Sequence, residues 1–262
     1  MIQDLFAIPR LSGNAWTVWK RNLDVFQKTW RVNLVPPFIE PFLYLIALGF
    51  GLGGFVGYIG DVPYIDFIAP AIVAVSIMNS AFFECTYGSY VRMYYGKTFD
   101  AIIATPVSIE EVIAGELLWG ATRSMIYTSL MLPVLILFGV VNVPTSLLLI
   151  PFAFLGGLLF ACIAMCFTAV TPSIDALNYP SFLFITPMLL FSGTFFPITV
   201  LPPALQAFAF AVLPLTHVVS ICRGITLTLF TPFMLLDLAW IAIVTTVLFI
   251  LAINLMKRRL VV

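Results

Sequence analysis

Charge is scarce in this chain: 9% of its residues are Asp, Glu, Lys or Arg, against 62% hydrophobic. A soluble domain carries roughly a quarter charged residues to cover its surface, so this chain cannot cover itself in water and lipid must do so. The zero net charge says nothing useful about nucleic acid, and none is expected as a partner. Histidine is reduced to His217 alone, and no second acid, base or nucleophile is positioned by sequence to make it catalytic. The four cysteines (Cys85, Cys162, Cys166, Cys222) are scattered through apolar surroundings, which suits buried free thiols better than disulfides. Cys162 and Cys166 fall one helical turn apart, but no His or carboxylate stands beside them to complete a metal site. No G-x-x-x-x-G-K-[ST] phosphate loop is present, which excludes this chain as a phosphate-loop ATPase. No signal peptide is visible either. The first apolar run begins only near Leu34, behind a long basic segment and with no small-residue cleavage site after it, so the first crossing is expected to stay in the mature protein.

What the chain does have is six apolar stretches, each about as long as a bilayer core of ~30 Å requires. They are expected at about Pro37–Phe55, Tyr64–Glu84 (extending toward Val91), Glu111–Val141, Leu147–Val170, Ala176–Phe195 and Phe233–Met256. Lys and Arg divide sharply between the two sides. Arg10, Lys20, Arg21, Lys28, Arg31, Arg92, Lys97, Lys257, Arg258 and Arg259 fall on one side and Arg223 on the other. The positive-inside rule places the first side, with both termini, in the cytoplasm. The fold class that follows is an all-α polytopic membrane protein with six transmembrane helices.

Three further segments are legible. Over residues 14–31, Trp16, Trp19, Leu23, Phe26 and Trp30 recur at steps of three and four, with Lys20, Arg21, Asp24, Lys28 and Arg31 around them. This pattern predicts an amphipathic helix lying in the membrane interface. Residues 98–111 predict a cytoplasmic elbow: Gly96 breaks the incoming helix, Thr98 is placed to cap a short one, and Pro106 disfavours helix at Thr105. Ser108 and Glu111 then form a capping box that opens the next crossing. The elbow is a plain connector or a docking element for a partner. Residues 197–222 are apolar enough to be mistaken for a seventh crossing. An odd count would put Lys257-Arg258-Arg259 outside, and Pro197, Pro202, Pro203 and Pro214 cut the stretch into pieces too short to span. It is expected to be a re-entrant helical hairpin buried among helices on the outer side.

The turn Ala104-Thr105-Pro106-Val107-Ser108 after a short helix resembles the coupling elbow of type-2 ABC exporter permeases. The basic amphipathic N-terminal helix and the run Asn178–Ile225 resemble that family's interface helix, fifth crossing and re-entrant hairpin. Phe83-Glu84, Gly115-Glu116, Phe196-Pro197 and Leu213-Pro214-Leu215-Thr216-His217 are most similar to the lipo-oligosaccharide (nodulation-factor type) export branch. The resemblance covers essentially residues 1–262 as a single transmembrane domain. It implies a half-transporter in the bacterial inner membrane that exports an amphipathic substrate such as a lipo-oligosaccharide, polysaccharide or lipid-like molecule. Two permeases would pair, as a homodimer among membrane lipids, each docking one cytoplasmic ATPase that holds ATP and Mg, with no cofactor on this chain. It further implies that Phe99, Asp100, Thr105 and Pro106 enter the ATPase groove, faced by Arg21 and Lys28. Drug exporters share the same plan. A secondary transporter would instead show inverted repeats or broken midplane helices around an ion site, and no repeat relates the two halves.

Two groups of candidate residues remain. Glu40, Glu84, Glu116 and Arg123 carry charge inside crossings, where each costs roughly 2.5–3.5 kcal/mol even on lenient scales. They are expected to form a network, with Arg123 or Arg92 as cation, that is either a static tie between helices or a latch that rearranges. Phe191, Phe195 and Phe196, with His217 nearby, are candidates for the substrate path, because aromatic faces suit both acyl chains and sugar rings. His217 by itself reads as a hydrogen-bonded structural residue.

Overall fold

The computed structural model describes residues 7–9 and 11–260; Arg10, counted above among the basic residues, lies outside them. Helix α1 (Asn14–Lys28) turns Ala15, Val18, Asn22 and Phe26 inward. This is the neighbouring face to the one marked by the tryptophans. Trp16 and Trp30 stay exposed, with Trp16 stacked on Trp19 at 4.0 Å. Trp19 is half-buried and its Nε1 donates to Thr122 Oγ1 at 2.8 Å, so only part of the tryptophan stripe faces outward, and Ala15 and Val18 make the closest helix–helix contact. Gly115 makes that contact possible, since a Cβ there would lie 2.6 Å from Val18 Cβ and 2.8 Å from the Ala15 carbonyl.

Helix α1 stops at Lys28, before the expected residue 31. Thr29 leaves helical geometry and its hydroxyl bonds back to the Val25 carbonyl at 3.0 Å. Helix α2 (Trp30–Val56) follows at once. It carries Pro36, Pro37 and Pro41, then widens to a π-helix over Leu45–Leu52. Prolines remove donors from the i→i−4 ladder, and a change of ladder follows them here. A two-residue hairpin, β1 (Tyr58–Ile59) with β2 (Val62–Pro63), pairs Tyr58 with Pro63 and Ile59 with Val62. It turns the chain into α3 (Tyr64–Tyr95), the most buried of the long helices. The α3 ladder also opens into π turns at Glu84–Gly88 and Val91–Tyr95.

Lys97, in the left-handed region at φ 48°, ends α3 and precedes α4 (Thr98–Ile103). Thr98 is therefore the first helical residue, and no side chain caps α4, contrary to the capping role expected of it. The Ser108–Glu111 capping box is present as expected. The Glu111 amide donates to Ser108 Oγ at 3.3 Å, and the Ser108 amide donates to Glu111 Oε2 at 2.7 Å. It opens α5 (Ile109–Leu137), which packs on α1, α2 and α3 and most extensively on α6 (Val143–Val170).

Helix α7 spans 175–191 in α, 3-10 and π pieces, about 25 Å at 1.5 Å per residue. It ends short of the expected Phe195 because Gly193 adopts φ 70° and turns the chain. A 3-10 turn at Ile198–Val200 leads to α8 (Pro203–Val212) and α9 (Pro214–Thr226), which meet at 90°. Pro214 enforces the bend by holding Leu213 extended at φ −92°, ψ 106°. Limbs of 10 and 13 residues are each too short for a ~30 Å core. Helix α10 (Phe233–Leu260) closes the chain. Five helices among the described residues (α2, α3, α5, α6, α10) are long and apolar enough to cross a membrane, or six if the bent pair counts as one span. The protein is an all-α polytopic membrane protein.

Candidate functional site

At the basic end of the bundle, α3 and α5 bring four charges together. The π turn at Glu84 and the wide turn beyond it direct Glu84 and Arg92 toward α5, where Glu116 and Arg123, seven residues apart, share a face. Glu84 accepts from Arg92 Nη1 at 2.7 Å, from Trp119 Nε1 at 2.9 Å and from Arg123 in a close ion pair. Glu116 accepts from Arg92 Nε at 2.9 Å and Nη2 at 2.5 Å, from Ser89 Oγ at 2.7 Å and from Asn22 Nδ2 at 2.8 Å. Arg123 also donates to Tyr127 Oη at 2.7 Å and to Asn33 Oδ1 at 3.3 Å. Gly88 leaves room for the pair, since a Cβ there would meet Glu84 and Arg92 at 3.2–3.3 Å. Both glutamates are buried, with every oxygen engaged, and two negative charges balance two positive ones. The cluster ties α1, α2, α3 and α5 together.

Glu40 does not join it. It sits exposed on α2 and makes no ion pair among the described residues, because Arg123 is already taken up by Glu84, Tyr127 and Asn33. Glu40 instead lines an open groove of about 390 Å³ with Ser76, Asn79, Tyr127 and Arg123. Glu40 and Ser76 continue from there into a narrower cleft lined by Tyr44, Thr194 and Phe195. Of the three phenylalanines placed on a path, only Phe195 lines this continuous groove.

The elbow lies at the same end. Phe99 is fully buried beneath α4 and so cannot enter a partner's groove; it anchors the elbow to the bundle. A short amphipathic helix must bury one apolar residue to stay docked, and Phe99 serves that need. Asp100 is exposed and 3.8 Å from Lys97. Thr105 and Pro106 are exposed at the tip, where the Thr105 hydroxyl donates to the Ile102 carbonyl at 2.6 Å. Between α1 and α4 lies a pocket of about 450 Å³ lined by Thr17, Val18, Arg21, Thr98, Ala101 and Thr105. Arg21 lines this pocket, whereas Lys28, at the far end of α1, is exposed but does not.

His217 lies at the opposite end. Its Nδ1 is 2.7 Å from Asp237 Oδ1, its Nε2 is 2.9 Å from the Phe210 carbonyl, and its ring stacks on Trp240 at 4.2 Å. Ser220 Oγ donates to Asp237 Oδ2 at 2.6 Å. The serine thus bonds the aspartate and not the imidazole, which is no nucleophile relay; the group pins α9 to α8 and α10. Sequence reasoning missed Asp237, although a lone carboxylate five residues into the apolar run from Phe233 was a signal that it needs a buried partner.

The ABC-2 type transporter family model matches residues 14–227. The chain is 33% identical to Nodulation protein J of Sinorhizobium fredii (strain NGR234) over 253 residues, covering 95% of this chain and 96% of that one. It is 34% identical to Nodulation protein J of Rhizobium meliloti (strain 1021), with 97% of each covered. It is 25% identical over 203 residues to the inner membrane transport permease YadH of Escherichia coli (strain K12), 72% of this chain and 74% of that one. No solved structure matches this chain. With its helices long and apolar enough to cross a membrane and its family match running from α1 through the bent pair, the chain belongs to the ABC-2 type transporter family as a multi-pass permease.

Proposed function

We propose that this chain is the permease half of an ATP-driven exporter in a bacterial inner membrane, with both termini cytoplasmic. Two copies pair, and each docks a separate ATPase subunit that binds ATP and Mg. The observation that carries this reading is the pocket between α1 and α4, with Thr105 and Pro106 exposed beside it and Phe99 buried so that it anchors α4. The elbow lies in sequence between Arg92 and Glu116, so a push on α4 is delivered to both arms of the charge cluster and from there to α3 and α5. Filling the pocket with Ala101→Trp is expected to abolish co-purification of the ATPase and its permease-dependent ATP hydrolysis, while the permease still folds. Hydrolysis coupled as in wild type would sink the docking role.

The groove of Glu40, Ser76, Asn79 and Tyr127 supports pairing and bears on the substrate. Lipid cannot satisfy a face with a carboxylate and an amide at the depth of α2 and α3, whereas a second copy and a polar cargo do. Polar groups beside Phe195 suit a molecule with sugar hydroxyls as well as an apolar part, in keeping with the lipo-oligosaccharide export branch that the sequence resembles. A chain with its native cysteines changed to Ala and Asn79 to Cys is expected to cross-link as a dimer with a short bifunctional thiol reagent. Folded protein that stays monomeric under that treatment counts against this face as the seam.

A further inference from the structure

At the end opposite the charge cluster, Arg223 of α9 has no carboxylate partner among the described residues. Its Nη2 donates to the Gly193 and Thr194 carbonyls at 2.7 and 3.2 Å, its Nε reaches the Phe67 carbonyl at 3.4 Å, and the guanidinium lies 3.7 Å from the Phe67 ring centre. The N–H groups of Nη1 bond to nothing among the described residues. Arg223 lines a cavity of about 290 Å³ bounded by Ser192 and Gly193 of the turn, Thr216 and Ser220 of α9, and Thr231 before α10. The hydroxyls of Ser192 and Thr216 are buried without a hydrogen-bond partner. Asp237, the acid that Ser220 touches, is already held by His217 and Ser220.

A guanidinium withdrawn from water and left without a counter-charge is costly. Carbonyl dipoles offset part of that cost but supply no negative charge. The matching ligand for the free edge of a guanidinium is a planar or tetrahedral oxyanion, and the cavity, near the lower end of small-molecule pocket sizes, has room for one. We propose that this cavity binds a single oxyanionic group of the phosphate type, with Arg223 as its counter-ion. The source is the headgroup of an acidic lipid entering from the bilayer or a free anion from the aqueous side. This site is distinct from the groove and the elbow, and it stands whether or not those roles hold.

The test reconstitutes the full chain in nanodiscs of phosphatidylcholine with phosphatidylglycerol, and counts retained phosphatidylglycerol by native mass spectrometry. Wild type is expected to hold one more phosphatidylglycerol than Arg223→Gln. Thr231→Trp, which blocks the cavity mouth while leaving the carbonyl bonds of Arg223 intact, is expected to lose the same molecule; it decides the matter if Arg223→Gln fails to fold. A second arm adds inorganic phosphate to discs of phosphatidylcholine alone and reads the thermal midpoint. A rise in wild type and not in the variants assigns the site to a free anion; retention without such a rise assigns it to a lipid headgroup. Equal retention and equal midpoints across all three proteins overturn the proposal and leave Arg223 as a clamp on the 193–194 turn.

Discussion

Neutralising Glu84 alone, as Glu84→Gln, is expected to lower the stability of the folded chain by about 3 kcal/mol, and removing the Arg123 charge in the same protein to restore most of that loss. Breaking one member of a buried ion pair typically costs about 3–5 kcal/mol, because the partner charge is left unbalanced in a low dielectric. The lower end applies here, since the side chains of Arg92 and Arg123 keep 20% and 23% exposure. With Glu84 neutral, two arginines face Glu116 alone. With Glu84→Gln and Arg123→Met together, Arg92 keeps its two bonds to Glu116 and the cluster is again balanced.

Exchanging the two charges, Glu84→Arg with Arg123→Glu, is expected not to restore stability. The new arginine would face Arg92, which in the wild type lies 2.7 Å from the Glu84 carboxylate. Thermal midpoints of the purified proteins across this cycle decide the matter. Full recovery by the exchange would mean that Arg92 is not a working partner of Glu84. A double variant no better than Glu84→Gln would mean that Arg123 is not one.

Phe99→Ala is expected to cost about 3–5 kcal/mol, the usual range for truncating a fully buried phenylalanine, whereas Thr105→Ala is expected to be close to neutral in stability. The two should differ the other way in coupling. Thr105 is exposed at the elbow tip, so its truncation is expected to weaken ATPase stimulation at unchanged thermal midpoint, while any coupling defect of Phe99→Ala should accompany loss of folded protein. The measurement is ATP hydrolysis per folded permease beside the thermal midpoint of each variant. A Phe99→Ala protein with wild-type stability and no coupling would return Phe99 to the docking surface that the family resemblance implied.

Much of the elbow was legible because its signals are local. The Ser108–Glu111 box needs only four residues to form, and the helix break near Gly96 needs only neighbouring φ and ψ. The burial of Phe99 was not legible, since an apolar residue on a six-residue helix reads equally as anchor or as contact until the surface beneath it is known. The same applies to α1. Its periodicity announced an amphipathic helix and included Phe26 and Trp19, but it missed Ala15, Val18 and Asn22, which complete the packing face. Small residues pack closest to Gly115, and no periodicity of bulk identifies them.

The sequence by itself determined that this is a helical membrane permease of a known family. Sparse charge and bilayer-length apolar runs admit no other solvent, and backbone groups in lipid must be satisfied within each segment. Only the tertiary structure decided which charges meet. Glu40 and Glu84 are alike as isolated carboxylates in apolar runs, yet Glu84 is directed by a π turn between two arginines and Glu40 faces an open groove. Asp237 found His217, and Arg223 found carbonyls in place of an acid. A charge-assisted hydrogen bond forms only when donor and acceptor come within about 3 Å in good alignment. Helix rotation and register set distances on that scale, and both come from packing between segments far apart in the chain.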